Sequence, residues 1–372
     1  MPFNKENATI MHTKKLFLTG GLIGVFGIFI ACGDEATKEE SVEEKPKIKS
    51  EEILKTAQSV FGALPDEAPS PHYEINEEKV TLGKALFYDT RLSKEGNISC
   101  NSCHQLDNFG VDGEKTSPGD DGTFGDRNSP TVINAAFHHA QFWDGRAKDV
   151  EEQAGMPILN PIEHAIPDED FLIDRLKNID VYQELFAKAF PEQENPLTYK
   201  NLTYALGAFE RTLIAPSRFD DFVKGDIDAL SDLEKQGIQA FIDAGCTSCH
   251  TGKLIGGSMF NKFGLFHDYW DITGSENIDK GRFEVTEDEN DMYVFKVPSL
   301  RNIVHTGPYF HDGSVDNLED AIQVMAKLQI NRELEAEEAE AILAFLESLT
   351  GDVSEDAKKP PIELIGEENI DS

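Results

Sequence analysis

A mainly α-helical fold, two c-type cytochrome-like haem domains with long loops, is what this chain predicts, and three observations carry it. Cys-x-x-Cys-His occurs twice, at residues 100–104 and 246–250, once in each half. Apolar residues recur at helical spacing on segments around both motifs. Residues 110–130 and 252–291 are rich in Gly, Asp and Pro and predict loops. Each motif is the attachment signal for a c-type haem. Cys100 and Cys103, or Cys246 and Cys249, hold the porphyrin through thioethers, and His104 or His250 supplies one axial ligand to iron. Two haem c groups, one per half, would replace much of an ordinary core. A disulfide framework would not explain a histidine directly after both cysteine pairs.

The elements follow in order. Lys14 and Lys15 precede an apolar run from Leu16 to Ile30 that ends just before Cys32. This predicts a lipoprotein-type signal peptide over 1–32, with Cys32 lipidated; an uncleaved anchor is the alternative. Either way the rest is exported, as covalent haem requires. The expectation is a cell-envelope lipoprotein facing the periplasm, or displayed on the outer surface. Residues 33–50 are polar and charged, a flexible acidic tether. Residues 51–215 are the first haem domain, 216–350 the second, and 351–372 a polar tail. Leu202, Leu206, Phe209 and Leu213 mark one helix. Ser231-Asp232-Leu233-Glu234 is a capping-box pattern opening another, which runs into the second motif. Asn317 caps a helix bearing Leu318, Ile322 and Met325, and residues 334–349 form a further amphipathic helix.

The net charge is −35, and the first 32 residues are net positive, so the exported part is more acidic still. Nucleic acid is excluded as a partner, since phosphate binding needs a basic face. Solubility explains the charge; so does steering of a small basic electron donor.

Further strings carry a resemblance: residues 82–87 (Leu-Gly-Lys-Ala-Leu-Phe), 127–131 (Arg-Asn-Ser-Pro-Thr), 142–146 (Phe-Trp-Asp-Gly-Arg), 208–212 (Ala-Phe-Glu-Arg-Thr), 297–302 (Val-Pro-Ser-Leu-Arg-Asn) and 309–313 (Tyr-Phe-His-Asp-Gly). In that order around two haem motifs, the chain resembles the bacterial di-haem cytochrome c peroxidases from about Leu82 to Gly351. The resemblance implies an enzyme that reduces hydrogen peroxide to water with electrons from cytochrome c or a copper protein. Such chemistry needs one iron with an open position and a base that moves a proton between the peroxide oxygens. The resemblance makes Glu163 that acid–base, Gln153 its hydrogen-bonding partner for peroxide, and Phe142 a wall of the pocket. It makes Met325 the sixth ligand of the second haem, where a thioether raises the potential. A core methionine would show the same pattern, and Met259 and Met292 compete for the role. Trp143 falls between the haems, as a conduit or as a structural residue, and His311 among the residues around the cofactors. Asn128, with the carbonyls of Thr306 and Pro308, matches a calcium site; as a turn residue Asn128 needs no ion. Family members are commonly homodimers. His138, His139 and His164 are assigned no role.

One departure matters. Many family members close the peroxide-binding iron with a histidine in a Ser-x-Gly-His pattern; here residues 117–120 read Ser-Pro-Gly-Asp. Asp120 is a poor haem-iron ligand, so the first haem is expected to be open without prior reduction. Two rivals remain: a side-chain-oxidising relative, which would carry tyrosine at the Met325 position, and an electron-transfer cytochrome with no need of Glu163.

Overall fold

Helix pairing builds the molecule around each Cys-x-x-Cys-His motif. The computed structural model describes residues 49–371; the expected signal, Cys32 and residues 33–48 of the tether lie outside them. The regular structure of the described residues is mainly helical, with one short antiparallel pair, Phe260–Lys262 against Val294–Lys296. None of those helices is long and apolar enough to cross a membrane.

In the first half the helix Glu77–Tyr88 packs along Tyr199–Glu210, burying Leu82, Leu86, Leu202, Leu206 and Phe209. In the second, Asp232–Asp243 packs along Ala336–Glu347 in the same manner, burying Ile238, Phe241, Ile342 and Phe345. Each pair touches through a glycine. A Cβ on Gly83 would lie 1.9 Å from the Ala205 carbonyl oxygen, and one on Gly237 would lie 1.9 Å from that of Ala341. A glycine inside a helix costs about 1 kcal/mol against alanine. It is tolerated here because the backbones approach too closely for any side chain, close enough for Cα–H···O contacts.

The predicted caps form. Ser231 and Glu234 close a reciprocal capping box, and the Asn317 side chain accepts from the Asp320 amide at the start of Leu318–Ile330. Residues 110–130 contain no helix or strand. Residues 252–291 are more ordered than their Gly and Asp content predicts. They hold a strand and the short helices Tyr269–Thr273 and Phe283–Thr286. Aromatic anchors explain this: buried Tyr269 stacks on Phe263 and meets His311 edge-on.

The described residues fall in one compact unit with two main hydrophobic cores and a smaller aromatic cluster around Phe263 and Tyr269, and the chain ends cross between the two main cores. The helix Ser50–Val60 starts within the expected tether and first domain, yet Ile53, Ala57 and Phe61 pack into the second core beside Phe219, Phe241 and Phe345. Conversely, the polar C-terminal tail sends Val353, Ala357 and Ile365 into the first core. Tyr88 donates to the Ala357 carbonyl at 2.9 Å. Asp371 accepts from Ser99 at 2.5 Å and from Ser102 at 2.7 Å, gripping the turn that carries the first motif.

Each half also contains a buried ion pair. Arg211 meets Glu151 through two bonds of 2.7 and 2.8 Å. Arg301 meets Asp220 at 2.7 and 2.8 Å, and Asp220 also accepts from the Leu64 amide. Both arginines belong to strings that carry the resemblance, and both serve the packing of the fold. Paired and hydrogen-bonded, they sit buried without an orphaned charge.

Candidate active site

The first motif is presented by a short helix, Cys100–Cys103, whose N-cap Ser99 and Ser102 bond each other's backbone amides. His104 follows, its Nδ1 buried with no partner among the described residues. Burial lowers its pKa and keeps the imidazole neutral, the form that ligates iron. None of the four motif cysteines is paired in a disulfide.

Glu163 lies on the turn after helix Val150–Leu159, where Asn160 caps the helix C-terminus. The Asn160 amide donates to Glu163 Oε1 at 2.7 Å. Burial raises the Glu163 pKa, against the pull of Asn160 and of Arg146. Its charge also reaches the Cys103 thiol, which burial pushes up to about 11. The Cys103 thiol and the Arg146 guanidinium are thus both within electrostatic reach of Glu163. Arg146 lies over the Phe142 ring, 3.4 Å from its centroid, and Asp144 holds Arg146 at 2.9 Å and Arg127 at 2.5 Å. Phe142 is held at φ 64°, a region non-glycine residues rarely enter. Gln153 sits on the same helix, half-buried.

Asp120 does not point toward a ligand role. Its side chain accepts from the Glu95 amide at 2.9 Å, its carbonyl from Asn97 at 2.8 Å, and its amide donates to the Glu163 carbonyl at 2.8 Å. The loop that carries a histidine in many family members is here fastened to the Glu163 turn. His164, its Nδ1 on the Leu92 carbonyl at 3.1 Å, is structural.

The second motif opens on a largely apolar cavity lined by Cys246, Cys249, His250, Met325 and Trp143. His250 Nδ1 lies 3.2 Å from the Ile255 carbonyl, which leaves Nε2 for a metal. Burial holds this ring down to about 4, hence neutral. Met325 projects from Leu318–Ile330 into that cavity; Met259 and Met292 are not among its lining residues. Trp143 lines it too, directly after Phe142 in the chain, and donates to the Asn128 carbonyl at 2.9 Å. Asn128, Thr306 and Pro308 also line the cavity, with the Asn128 amide nitrogen on the Glu114 carbonyl at 3.0 Å. His311 stacks on Phe295, and its Nε2 is buried without a partner among the described residues. Thiol anchors, a neutral imidazole, a thioether and orphaned polar atoms around an apolar slot fit a haem.

Sequence reasoning missed His138 and Lys296, which also line the cavity, and the Asp144–Arg146 support of Phe142. A lysine inside the apolar run 294–297 (Val-Phe-Lys-Val) was the available signal for Lys296.

A family model described as di-haem cytochrome c peroxidase matches residues 77–228. The cytochrome c551 peroxidase of Pseudomonas aeruginosa is 41% identical over 321 residues, 86% of this chain and 90% of that protein. The cytochrome c551 peroxidase of Nitrosomonas europaea is 46% identical, over 74% of this chain and 81% of its own. Among solved structures, a MauG-like protein associated with microbial copper homeostasis superposes with TM-score 0.68 at 30% identity, covering 80% of this chain and 95% of that one. With this identity spanning both motifs and the helices that present them, the chain belongs to the di-haem cytochrome c peroxidase family.

Proposed function

We propose that this protein reduces hydrogen peroxide to water at the first haem and takes the two electrons, one at a time, through the second. The carrying observation is the asymmetry between the motifs. A half-buried carboxylate with a raised pKa stands near one, and a methionine-lined apolar cavity opens on the other. Haem supplies the redox change itself; the chain supplies everything around it. Glu163 takes the proton from one peroxide oxygen and returns it to the other, so that water leaves. Asn160 aims the carboxylate, and Arg146, stacked on Phe142, places a positive charge within its reach. Gln153 hydrogen-bonds the peroxide. The balance is one peroxide, two protons and two electrons to two waters.

The same reading makes 51–215 the peroxidatic half and 216–350 the electron-relay half, with Met325 opposite His250 and Trp143 between the two. Asp120, occupied by Glu95 and Asn97, supports a first haem that is open before any reduction. The acidic balance suits a small basic donor. Lipidation at Cys32, an envelope location, one Ca²⁺ at Asn128, Thr306 and Pro308, and a homodimer complete the proposal.

Cyanide titration of the as-isolated ferric protein tests it. One haem should bind cyanide without prior reduction, and the other should stay low-spin. Two cyanide-blind haems at every redox level would reduce the protein to an electron conduit.

A further inference from the structure

Lys296 is buried at the end of the strand Val294–Lys296, on the wall of the second cavity. Its Nζ lies 3.2 Å from His138 Nδ1. The other nitrogen of His138, Nε2, is buried and has no partner among the described residues. His138 also lines the cavity. No carboxylate forms an ion pair with Lys296 among the described residues, although acidic residues outnumber basic ones 69 to 34. The two buried arginines show the ordinary solution: Arg211 and Arg301 each have a carboxylate. An ammonium in an apolar wall with only a histidine beside it lacks its counter-anion. The imidazole also cannot satisfy all three ammonium hydrogens.

The group that enters this cavity brings the missing charge. A haem carries two carboxylates on flexible propionate arms, and the thiols of Cys246 and Cys249 fix where its ring lies. We propose that Lys296 and His138 together seat a propionate carboxylate of the second haem. The ammonium supplies the ion pair and His138 Nε2–H the second hydrogen bond, with Nδ1 accepting from Lys296. This seat is tied to Trp143, because the Lys296 amide donates to the Trp143 carbonyl at 2.7 Å. Its position between strand and tryptophan links the charge balance of the relay haem to the segment that joins the two sites. The inference rests on the reading of a haem at the second motif.

The test uses the full holoprotein. Haem content of the wild type is counted first; fewer than two per chain would refute the family-based reading itself. With two haems present, Lys296→Met and Lys296→Arg are compared by resonance Raman in the propionate-bending region and by spectroelectrochemistry. Lys296→Met should shift the propionate band and lower the midpoint potential of the second haem, since an uncompensated carboxylate favours the ferric state. Lys296→Arg should restore both. A band and potential unchanged in Lys296→Met, or a shift confined to the first haem, would overturn the assignment. If Lys296→Met fails to hold haem, His138→Gln decides, because it keeps the Lys296 ammonium in place and alters only the bonds made by the imidazole. It should shift the propionate band, and an unmoved band overturns the proposal.

Discussion

The two halves present the same five-residue motif and the same glycine-notched helix pair, yet their polar groups are arranged in opposite senses. Around the first motif, two carboxyls are pushed up by burial: Glu163, and Glu210, raised to about 8. In the second half Asp220, Glu234 and Asp279 are all held below their usual range by arginine partners and backbone amides. One half holds two carboxyls whose pKa values burial raises, beside the paired Glu151; the other holds these acids charged in ion pairs and leaves the cavity apolar. The difference teaches that the motif only fixes the cofactor. What faces the cofactor decides between proton chemistry and electron relay.

The ion pairs offer the sharpest break. Arg301→Met strands Asp220 in the second core and should cost about 3–5 kcal/mol of stability. The double variant Arg301→Met/Asp220→Leu should recover most of that; urea unfolding measures both. Glu163→Gln should lower peroxide turnover with reduced cytochrome c by at least about 100-fold while the second haem's spectrum stays as it was. Retained turnover would erase the contrast between the halves. Because Glu163 must lose its proton to act as a base, wild-type activity should fall as pH drops through a pKa above that of an ordinary carboxylate.

Met325→Ala should lower the second haem's midpoint potential by on the order of 0.1 V, within the roughly 0.8 V that axial ligands span. A spectroelectrochemical titration in which only the first haem moved would contradict the assignment. Glu210 gives a smaller, pH-linked effect. Its folded pKa of about 8 lies above the usual 4.5, so between these values the folded state holds a proton that the unfolded chain releases. Stability from this group is therefore lost as pH rises from about 4.5 to about 8, and Glu210→Gln should flatten that slope in melts at pH 5 and pH 8. Smallest is Asp371→Asn, which weakens two charged bonds near the surface and should cost about 1 kcal/mol.

Local chemistry was legible in the chain. The motifs, the Ser231 capping box and the helix bearing Met325 each depend on residues within a turn or two of one another. Glu163 was legible only through the resemblance, because an isolated carboxylate in a turn has no distinguishing spacing. What sequence reasoning could not supply were contacts across the whole chain. Asp371 reaches Ser99 over 272 positions, and Lys296 reaches His138 over 158. The helix Ser50–Val60 reads as part of the half it adjoins, and only the aromatic cluster around Phe345 draws it away. Gly83 and Gly237 were visible as glycines inside helical patterns, but a sequence alone does not say which carbonyl each must admit.

The crossed chain ends bear on how such a molecule is made. The first core is not complete until the final residues have been threaded back, since Ala357 and Ile365 close it, whereas the second is closed by the opening helix and needs nothing beyond Leu349. A polypeptide emerging as it is made would thus keep the first thiol pair reachable for haem attachment until synthesis ends, while the second half could already close. Deleting residues 352–371 should leave the first thiol pair open to alkylation and the Tyr88 region open to protease, in a chain whose second half remains shielded.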